Sequence, residues 1–487
     1  MTGPDTAWRL LIGGSWVEPG GTYPVVNPAT EEVVGHAPDA SVADAQAAAE
    51  AAAEAFPAWS RTSPEERAEL LARAADLLDA RYGELVPLVQ AETGATLRVT
   101  KQMQVPMAAV RLRRYARGIR EELEIPIPPG VTPTTALAPG GIIGGVARRA
   151  PVGVVVCITS YNFPLTNMAG KIGPALAMGN TVVVKPAPQD PLGVIAMAEV
   201  FEEAGFPPGV VNVITSQSPA PAEALVASPQ VDMISFTGST AVGRHIGGVA
   251  GADMKRLLLE LGGKGACIVF DDADLAAAIG GIASVWAFHS GQICTAPTRV
   301  IAQRGIYDQL VEGLAAAAGR LKVGDPLERD TVLGPVITAA HRDRVESYVA
   351  SGREEGGTVV VGGCRPELDR GFYVAPTLIA DCSPHMRVVR EEIFGPVVVV
   401  LPFDDADEAV AIANSSEFGL YDYVFSADSA RAYGVAERLR TGNVGINTVQ
   451  RNHETPFGGF KRSGVGRDGG RFGFHAYSEL QSIVWPG

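Results

Sequence analysis

Five short apolar segments alternate with helix-like segments between residues 152 and 261, and this alternation restricts the fold more than any other feature of the chain. The apolar segments are Val152–Thr159, Thr181–Lys185, Val210–Ile214, Val231–Phe236 and Leu257–Leu261. The helix-like segments between them are Leu165–Met178, Leu192–Ala204, Ala220–Ala227 and Thr240–Val249. Strands that alternate with helices predict a parallel, doubly wound α/β sheet, which binds ligands at the carboxyl ends of its strands.

The residues that precede this alternation predict a helical region, over residues 41–124. Ser63 and Pro64 are typical of a helix start, and Glu66 is placed to reach back to the Ser63 cap. Gly94 is placed to end a helix, because glycine adopts the left-handed conformation found at helix ends.

Three later segments complete the predicted organisation. Residues 125–151 are rich in proline and glycine and predict a crossover or hairpin that leaves the main body. Residues 263–462 form a second α/β stretch, and Ala476–Trp485 alternates enough to form an edge strand. A chain of 487 residues is too long for one hydrophobic core, so we expect two or three lobes.

Charge and cysteine usage restrict the partners and the compartment. Lys plus Arg is 40 and Asp plus Glu is 54, and the resulting net charge of −14 argues against nucleic acid and membrane surfaces as partners. No apolar run approaches the ~20 residues that span a bilayer, and Met1–Trp16 lacks the pattern of a signal peptide. The five cysteines, at 157, 267, 294, 364 and 382, lack CxxC spacing, so we expect no disulfide framework, no metal site and a cytoplasmic location.

Two segments carry residue types that suit nucleophilic catalysis. Cys294 follows Gly291-Gln292-Ile293, a context that suits an exposed nucleophile, although a free cysteine is more often a small buried hydrophobe. Glu260 lies between two leucines and is followed by two glycines, so burial would raise its pKa towards the value that a general base needs. The alternative for Glu260 is a salt bridge to Lys264 or to another base.

Three of the predicted strands end in polar residues that suit ligand binding. Asn162, in Ser160–Pro164, is placed to donate a hydrogen bond to a developing oxyanion. Lys185 ends another strand, where it is placed to bind ribose hydroxyls. Phe236–Gly243 leads from a strand into a helix whose free N–H groups suit a pyrophosphate, although the glycine spacing is not GxGxxG and a plain turn is the alternative.

Together these motifs resemble the aldehyde dehydrogenase superfamily, and the resemblance covers essentially the whole chain. The matching motifs are Asn162-Phe163-Pro164, Lys185-Pro186, Phe236–Gly243, Glu260–Lys264, Gly291–Cys294 and Glu391–Pro396. The resemblance implies an NAD(P)-dependent enzyme that oxidises an aldehyde to a carboxylic acid. Its implied α/β fold has a Rossmann-type cofactor domain (1–128 and 152–262), a catalytic domain (263–462) and a β oligomerisation arm (129–151 and 463–487), which implies a homodimer or homotetramer.

The resemblance also implies a role for each motif residue. Cys294 is the expected nucleophile, Asn162 and the Cys294 N–H stabilise the oxyanion, and Glu260 activates water to hydrolyse the thioester. Family members that pass the acyl group to coenzyme A lack this carboxylate, so Glu260 favours hydrolysis. The residues expected to bind the cofactor are Lys185, Gly238, Ser239, Gly243, Glu392 and Phe394.

The expected substrate tunnel is apolar, which favours an aromatic or medium aliphatic aldehyde. Its lining residues, by motif position, are Phe163, Gly170, Phe288, Ile293, Thr295 and Phe457. His289 stands where members that act on aromatic aldehydes often carry histidine, although a packing role is the commoner one. Arg451 is the residue that would bind an anionic tail, as in semialdehyde oxidation, and its alternative is a surface ion pair.

Four positions leave the family pattern or leave a role open. Pro188 stands where many NAD-specific members carry glutamate, so NADP is not excluded and NAD is only slightly preferred. Tyr161 replaces the usual tryptophan, and Asp468 replaces a common glutamate. Lys171 matches a family motif position, but a helix-surface charge explains it equally well.

Two other kinds of protein compete with a hydrolytic dehydrogenase. One is an enzyme that uses Cys294 differently, either a coenzyme A-acylating dehydrogenase or a thiol esterase. The other is a catalytically silent binding protein of the same fold. The presence of both Cys294 and Glu260 argues against the silent protein.

Overall fold

The computed structural model describes residues 6–121 and 123–486. Residues 1–5 of the stretch inspected for a signal peptide, and the last residue of the expected arm, lie outside the described residues. The strands are β1 (Leu10–Ile12), β2 (Ser15–Val17), β3 (Thr22–Val26), β4 (Val33–Pro38), β5 (Glu124–Thr132), β6 (Gly141–Pro151), β7 (Val154–Ile158), β8 (Thr181–Lys185), β9 (Val211–Val213), β10 (Met233–Thr237), β11 (Arg256–Glu260), β12 (Ala266–Val269), β13 (Arg299–Gln303), β14 (Thr358–Val361), β15 (Thr377–Ala380), β16 (Val397–Phe403), β17 (Tyr421–Phe425), β18 (Asn443–Ile446), β19 (Gly464–Val465) and β20 (Ser478–Pro486).

The α-helices lie between and before these strands. They are α1 (Val42–Trp59), α2 (Pro64–Ala80), α3 (Tyr82–Thr93), α4 (Leu97–Met103), α5 (Val105–Gly118), α6 (Pro164–Ala177), α7 (Leu192–Glu203), α8 (Ala220–Ala227), α9 (Thr240–Ala252), α10 (Leu275–Ala287), α11 (Tyr307–Gly319), α12 (Ala339–Glu354), α13 (Arg387–Arg390), α14 (Ala406–Asn414), α15 (Ser429–Arg438) and α16 (Phe472–Ala476). Within the described residues, no helix combines the length and apolarity that crossing a bilayer requires.

The predicted doubly wound sheet is confirmed as the centre of an eight-stranded sheet, ordered β19-β11-β10-β7-β8-β9-β1-β2. Strands β11, β10, β7, β8 and β9 run parallel, while β1, β2 and β19 are antiparallel additions. The chain leaves β7 for β8 on one side and returns to β10 on the other. The strand order therefore reverses between β7 and β10, and this switch point is where such sheets bind ligands.

The second α/β stretch forms a seven-stranded sheet, ordered β14-β15-β16-β13-β12-β17-β18. Its strands are parallel except for β14, which pairs antiparallel with β15. Both faces are covered by helices, so the central strands are continuous apolar segments, as parallel strands buried on both faces require.

The proline- and glycine-rich segment forms β5 and β6, which join β20 in a three-stranded antiparallel sheet. This sheet begins at Glu124, and Gly464–Val465 belongs to the eight-stranded sheet, so both points differ from the expected arm boundaries. The division into domains otherwise stays a prediction.

Helix α2 begins and helix α3 ends at the residues that the sequence predicts, with one difference in the hydrogen bonds of the cap. Ser63 caps α2 and accepts a hydrogen bond from the Glu66 N–H, but the reciprocal bond from the Glu66 side chain expected there is not among those of the described residues. The reciprocal capping box occurs instead at Ser41 and Asp44, at the start of α1. Gly94 ends α3 in the left-handed conformation, with φ of 65°.

Candidate active site

The polar residues at the predicted strand ends meet at the carboxyl edge of the eight-stranded sheet. Glu260 is the last residue of β11, Lys185 is the last of β8, and Asn162 follows β7 by four residues. Ser239 follows β10 and caps α9. Because β11, β10, β7 and β8 are neighbours in this order, these side chains surround the switch point.

Cys294 reaches this edge from the second α/β unit, in the segment between α10 and β13. The link to the first unit is the segment Gly262-Gly263, which is separated from Glu260 by Leu261 alone. A Cβ on Gly263 would overlap the Cys294 carbonyl oxygen, and a Cβ on Gly262 would overlap the Glu392 carboxylate. The absence of side chains in this segment therefore lets Cys294 and Glu392 approach the backbone that follows Glu260.

The Asn162 amide is held with its nitrogen towards the cysteine loop. Its Oδ1 accepts hydrogen bonds from the Ser160 hydroxyl at 2.8 Å and from Asn167 Nδ2 at 3.4 Å. Its Nδ2 donates to the carbonyl oxygen of Gln292 at 2.9 Å, two residues before Cys294. The carbonyl side of the amide is thus fixed by donors, and its second N–H is left to serve an oxyanion near Cys294.

Glu260 is a buried acid without a hydrogen-bond partner. Its side chain is 7% exposed, and within the described residues neither carboxyl oxygen has a partner. Burial, followed by the charge of Asp468, raises the pKa of Glu260 well above its usual value. The alternative salt bridge to Lys264 or another base is wrong, because neither the Glu260 carboxyl oxygens nor the buried Lys264 Nζ has a partner among the same residues.

Cys294 is half-buried and its thiol is free. Burial, and then the charges of Glu260 and Glu392, raise the pKa of Cys294 to about 12. The resting form at neutral pH is therefore the thiol, and the nucleophilic thiolate has to be formed during the reaction.

The residues expected to bind the cofactor form a cradle that suits a dinucleotide. Ser239 is exposed at the start of α9, where the first-turn N–H groups lack helical acceptors and suit a pyrophosphate. Glu392 is held by the Gly263 N–H at 2.9 Å, and burial raises the pKa of Glu392 to about 7. Lys185 is buried, and burial lowers the pKa of Lys185 to about 8.

Phe394 is fixed beside this cradle in an unusual backbone conformation. Its φ is 61°, its ring lies 5.9 Å from that of Tyr161, and its carbonyl oxygen is hydrogen-bonded to His341 at 2.7 Å. Tyr161, which replaces the usual tryptophan, therefore keeps an aromatic edge against the expected nicotinamide side of the site.

The expected substrate residues form an apolar surface around Cys294. Phe163 packs with Phe288 and Ile293, and Ile293 and Cys294 also pack with the cluster that contains Phe457. His289 packs against Phe163 with a ring separation of 5.5 Å, as the commoner alternative predicts, although its Nε2 has no partner among the described residues.

Two other expected lining residues, Thr295 and Gly170, differ from this aromatic surface. The carbonyl oxygen of Thr295 accepts a hydrogen bond from the Tyr423 hydroxyl at 2.7 Å. The space that a side chain at Gly170 would fill is occupied by the Arg111 guanidinium.

Sequence reasoning gave Lys171 an open role and missed three residues. Lys171 is buried and donates to the Ser235 hydroxyl at 3.0 Å, so the interpretation as a helix-surface charge is wrong. Ser160 and Asn167, which fix Asn162, were signalled only by their closeness to it in sequence. Arg111 carried no signal, because nothing in its helix shows that it reaches Gly170.

Comparisons with known proteins agree with this fold. Residues 16–483 match the aldehyde dehydrogenase family. The chain is 40% identical over 483 residues to geranial dehydrogenase of Castellaniella defragrans, covering 98% of this chain and 99% of that protein. It is 38% identical over 488 residues to phenylacetaldehyde dehydrogenase of Pseudomonas fluorescens, covering 98% and 95%. A solved structure of betaine aldehyde dehydrogenase from Staphylococcus aureus in complex with NAD+ superposes with a TM-score of 0.93 at 35% identity, covering 99% and 95%.

The fold and the matches define an α/β oxidoreductase that uses a nicotinamide dinucleotide. The chain belongs to the aldehyde dehydrogenase family, and its predicted fold class is confirmed.

Proposed function

We propose that this enzyme oxidises an aldehyde to the free carboxylic acid through a thioester on Cys294, which Glu260 hydrolyses. The observation that carries the proposal is the meeting of Cys294, Asn162 and an unpartnered, buried Glu260 at the switch point of the sheet.

The chemistry divides among three side chains. Cys294 gives its proton to solvent water, and its thiolate attacks the aldehyde carbon. The oxyanion of the resulting thiohemiacetal accepts hydrogen bonds from Asn162 Nδ2 and the Cys294 N–H. NAD(P)+, when bound, supplies the acceptor for the hydride that this carbon releases. The remaining thioester is attacked by water, whose proton passes to the Glu260 carboxylate, and the acid leaves as the Cys294 thiol is restored.

The chain's own residues suit the placing of the dinucleotide. The start of α9 with Ser239 binds the pyrophosphate, Lys185 the adenosine ribose, and Glu392 the nicotinamide ribose. Gly238 and Gly243 allow the backbone to approach closely, and Phe394 packs at the nicotinamide side. NAD is the proposed cofactor, and NADP is accepted because Pro188 offers no carboxylate to repel the 2′-phosphate.

The proposed substrate has an apolar body, aromatic or medium aliphatic. The aromatic surface of Phe163, Phe288 and Phe457 beside Ile293 supports this choice, because it offers large apolar area to a ring or alkyl chain. Two of the relatives, geranial dehydrogenase and phenylacetaldehyde dehydrogenase, are named for aldehydes of this kind.

Nicotinamide reduction tests the proposal. Purified wild type and Cys294→Ala are assayed with NAD and NADP on benzaldehyde, hexanal and succinic semialdehyde, and the acid product is identified. We expect reduction and free acid with wild type and none with Cys294→Ala. A wild-type protein that binds NAD(P) but oxidises no aldehyde of a widened panel would support the catalytically silent binding protein instead.

A further inference from the structure

Arg451 lies at the substrate surface without the ion pair that its position suggested. Its guanidinium stacks on the ring of Phe457, with 3.7 Å from Cζ to the ring centroid. Within the described residues it makes no hydrogen bond and no ion pair, so all five of its N–H donors are left to water or a ligand. Phe457 packs in the same cluster as Ile293 and Cys294, so the charge lies along the path of the substrate.

Arg111 brings a second positive charge to the same wall. Its Nη1 donates to the carbonyl oxygen of Thr166 at 3.0 Å and lies where a side chain at Gly170 would otherwise stand. Arg451 lies on the same side, because Phe457, on which it stacks, donates its N–H to the carbonyl oxygen of Asp468 at 2.7 Å, and Asp468 also lies beside Gly170. In keeping with this, burial and then the charge of Arg111 lower the pKa of Arg451. Arg111 makes no ion pair among the described residues.

Among the described residues, no acid forms an ion pair with either arginine, although Arg451 acts through its charge on the pKa of buried Glu260, and Asp468 acts in the same way on the pKa of Arg451. Asp468 lies beside Gly170, but its Oδ1 accepts from the Gly469 N–H at 2.6 Å and from the Tyr115 hydroxyl at 3.3 Å. Glu454, three residues after Arg451, pairs with Arg114 at 2.6 Å. In the part of the chain that the structure describes, neither arginine thus has a carboxylate oxygen within 4.0 Å. Their mutual repulsion falls when an anion binds between them.

We propose that Arg111 and Arg451 form an anion-binding wall of the substrate tunnel, so that the preferred substrates are aldehydes that carry a carboxylate on an apolar body. This inference rests on the proposed aldehyde oxidation and adds the chemical class of its substrate. Arg451 offers a planar pair of N–H donors that matches a carboxylate, while Phe457 supports the guanidinium from the opposite face.

Matched substrate pairs test the inference. Steady-state kcat and KM are measured for 4-formylbenzoate against 4-methylbenzaldehyde and for succinic semialdehyde against butanal, which differ chiefly in the charge. The variants are Arg451→Met, Arg451→Lys and Arg111→Met. Arg431→Met is the control, because Arg431 also stacks on a phenylalanine, Phe270 at 4.5 Å, but lies in an ion pair with Asp272.

We expect wild type to favour the carboxylated member of at least one pair by about tenfold or more in kcat/KM. A hydrogen-bonded charge contact is strong enough that Arg451→Met should raise KM for that aldehyde by about 10- to 100-fold, and this rise should be at least tenfold larger than any change in KM for the uncharged member of the pair. Arg451→Lys should keep part of the preference, Arg111→Met should weaken it, and Arg431→Met should leave it intact.

Two results would overturn the inference while the proposed function stands. One is a wild type that oxidises the uncharged members better in both pairs. The other is an Arg451→Met variant that loses activity equally on charged and uncharged aldehydes, which would make Arg451 a structural residue. A wild type that oxidises none of the four would instead refute the aldehyde oxidation itself, and the inference with it.

Discussion

Cys294 and Glu260 are both desolvated by burial, and the charge of Glu260 makes the Cys294 thiolate less favourable. Burial is the larger cause of both raised pKa values, and the charge of Glu260 adds to that of Cys294. Desolvation therefore disfavours the ionised form of both groups that the proposed reaction uses.

Alkylation of Cys294 should rise steeply with pH. Because its pKa is raised to about 12, its thiolate fraction grows about tenfold per pH unit between pH 7 and 10, and only the thiolate reacts. The rate of iodoacetamide labelling at Cys294, followed by mass spectrometry of its peptide, measures this. The exposed thiol of Cys364 is the internal control. Labelling of Cys294 that precedes Cys364 at pH 7 would show a thiolate already stabilised at rest.

Replacing Glu260 by glutamine should separate acylation from hydrolysis. The amide keeps the shape but cannot take a proton from water, so the thioester should accumulate and kcat should fall about 10²- to 10⁴-fold. Stopped-flow absorbance should show a burst near one reduced nicotinamide per active site. The control is Glu391→Gln, an exposed acid in an ion pair with Arg387. A Glu260→Gln variant with normal kcat would exclude Glu260 as the base.

At the scale of elements, α9 matters through the way it docks on β11. A Cβ on Gly243 would overlap the side chain of Leu261, just after β11. Gly247, one turn later on the same helix, has open space around it. The same Gly→Ala change thus tests helix docking at one position and helix propensity at the other.

Gly243→Ala should weaken cofactor binding while Gly247→Ala should not. The overlap with Leu261 costs about 1–3 kcal/mol and moves the start of α9, where Ser239 lies, away from the pyrophosphate. We expect Kd for NAD+ to rise about tenfold or more by isothermal calorimetry. Gly247→Ala gains up to ~1 kcal/mol of helix stability and should bind NAD+ normally. Equal affinity of the two variants would show that the pyrophosphate does not depend on α9.

The end of β8 should set the choice between NAD and NADP. Pro188 lies three residues after Lys185, where a carboxylate would repel the 2′-phosphate and accept a hydrogen bond from the 2′-hydroxyl. Pro188→Glu should therefore lower kcat/KM for NADP by about tenfold and leave that for NAD unchanged or improved. Pro188→Gln is the uncharged control. An unchanged NADP activity would place the 2′-phosphate elsewhere.

At the scale of the whole molecule, the three-stranded sheet of β5, β6 and β20 exposes apolar side chains, and we expect it to bind a second copy of the chain. Val131, Leu480 and Val484 are 83%, 59% and 66% exposed. Strands β20 and β5 are its edges, and an open edge with apolar side chains pairs readily with another chain. We therefore expect a homodimer, or a tetramer of dimers.

Charge on this sheet should weaken the oligomer. Val484→Lys places an ammonium group on the edge strand, so burying it in an interface costs free energy. Light scattering after size-exclusion chromatography should give a multiple of the 50.9 kDa chain for wild type and a smaller species for the variant. Met254→Lys, at an 88% exposed position after α9, is the control. A monomeric wild type would refute the assembly.

The sequence by itself determined the α/β class, the places where the strands end, and the motifs that lie there. The reason is that apolar periodicity and capping residues act over a few neighbouring positions. Strand β8 and helix α8 therefore have the predicted bounds, and Ser63 and Gly94 lie at the predicted helix ends. Tertiary structure alone decided what each polar side chain meets. Asn162 bonds Gln292 and Gly263 bonds Glu392 across 130 and 129 residues. Contact and desolvation depend on distant segments that no local pattern specifies. For the same reason the sequence did not predict the burial of Lys171, the absence of a Glu260–Lys264 salt bridge, or the position of Arg111 on the same wall as Arg451.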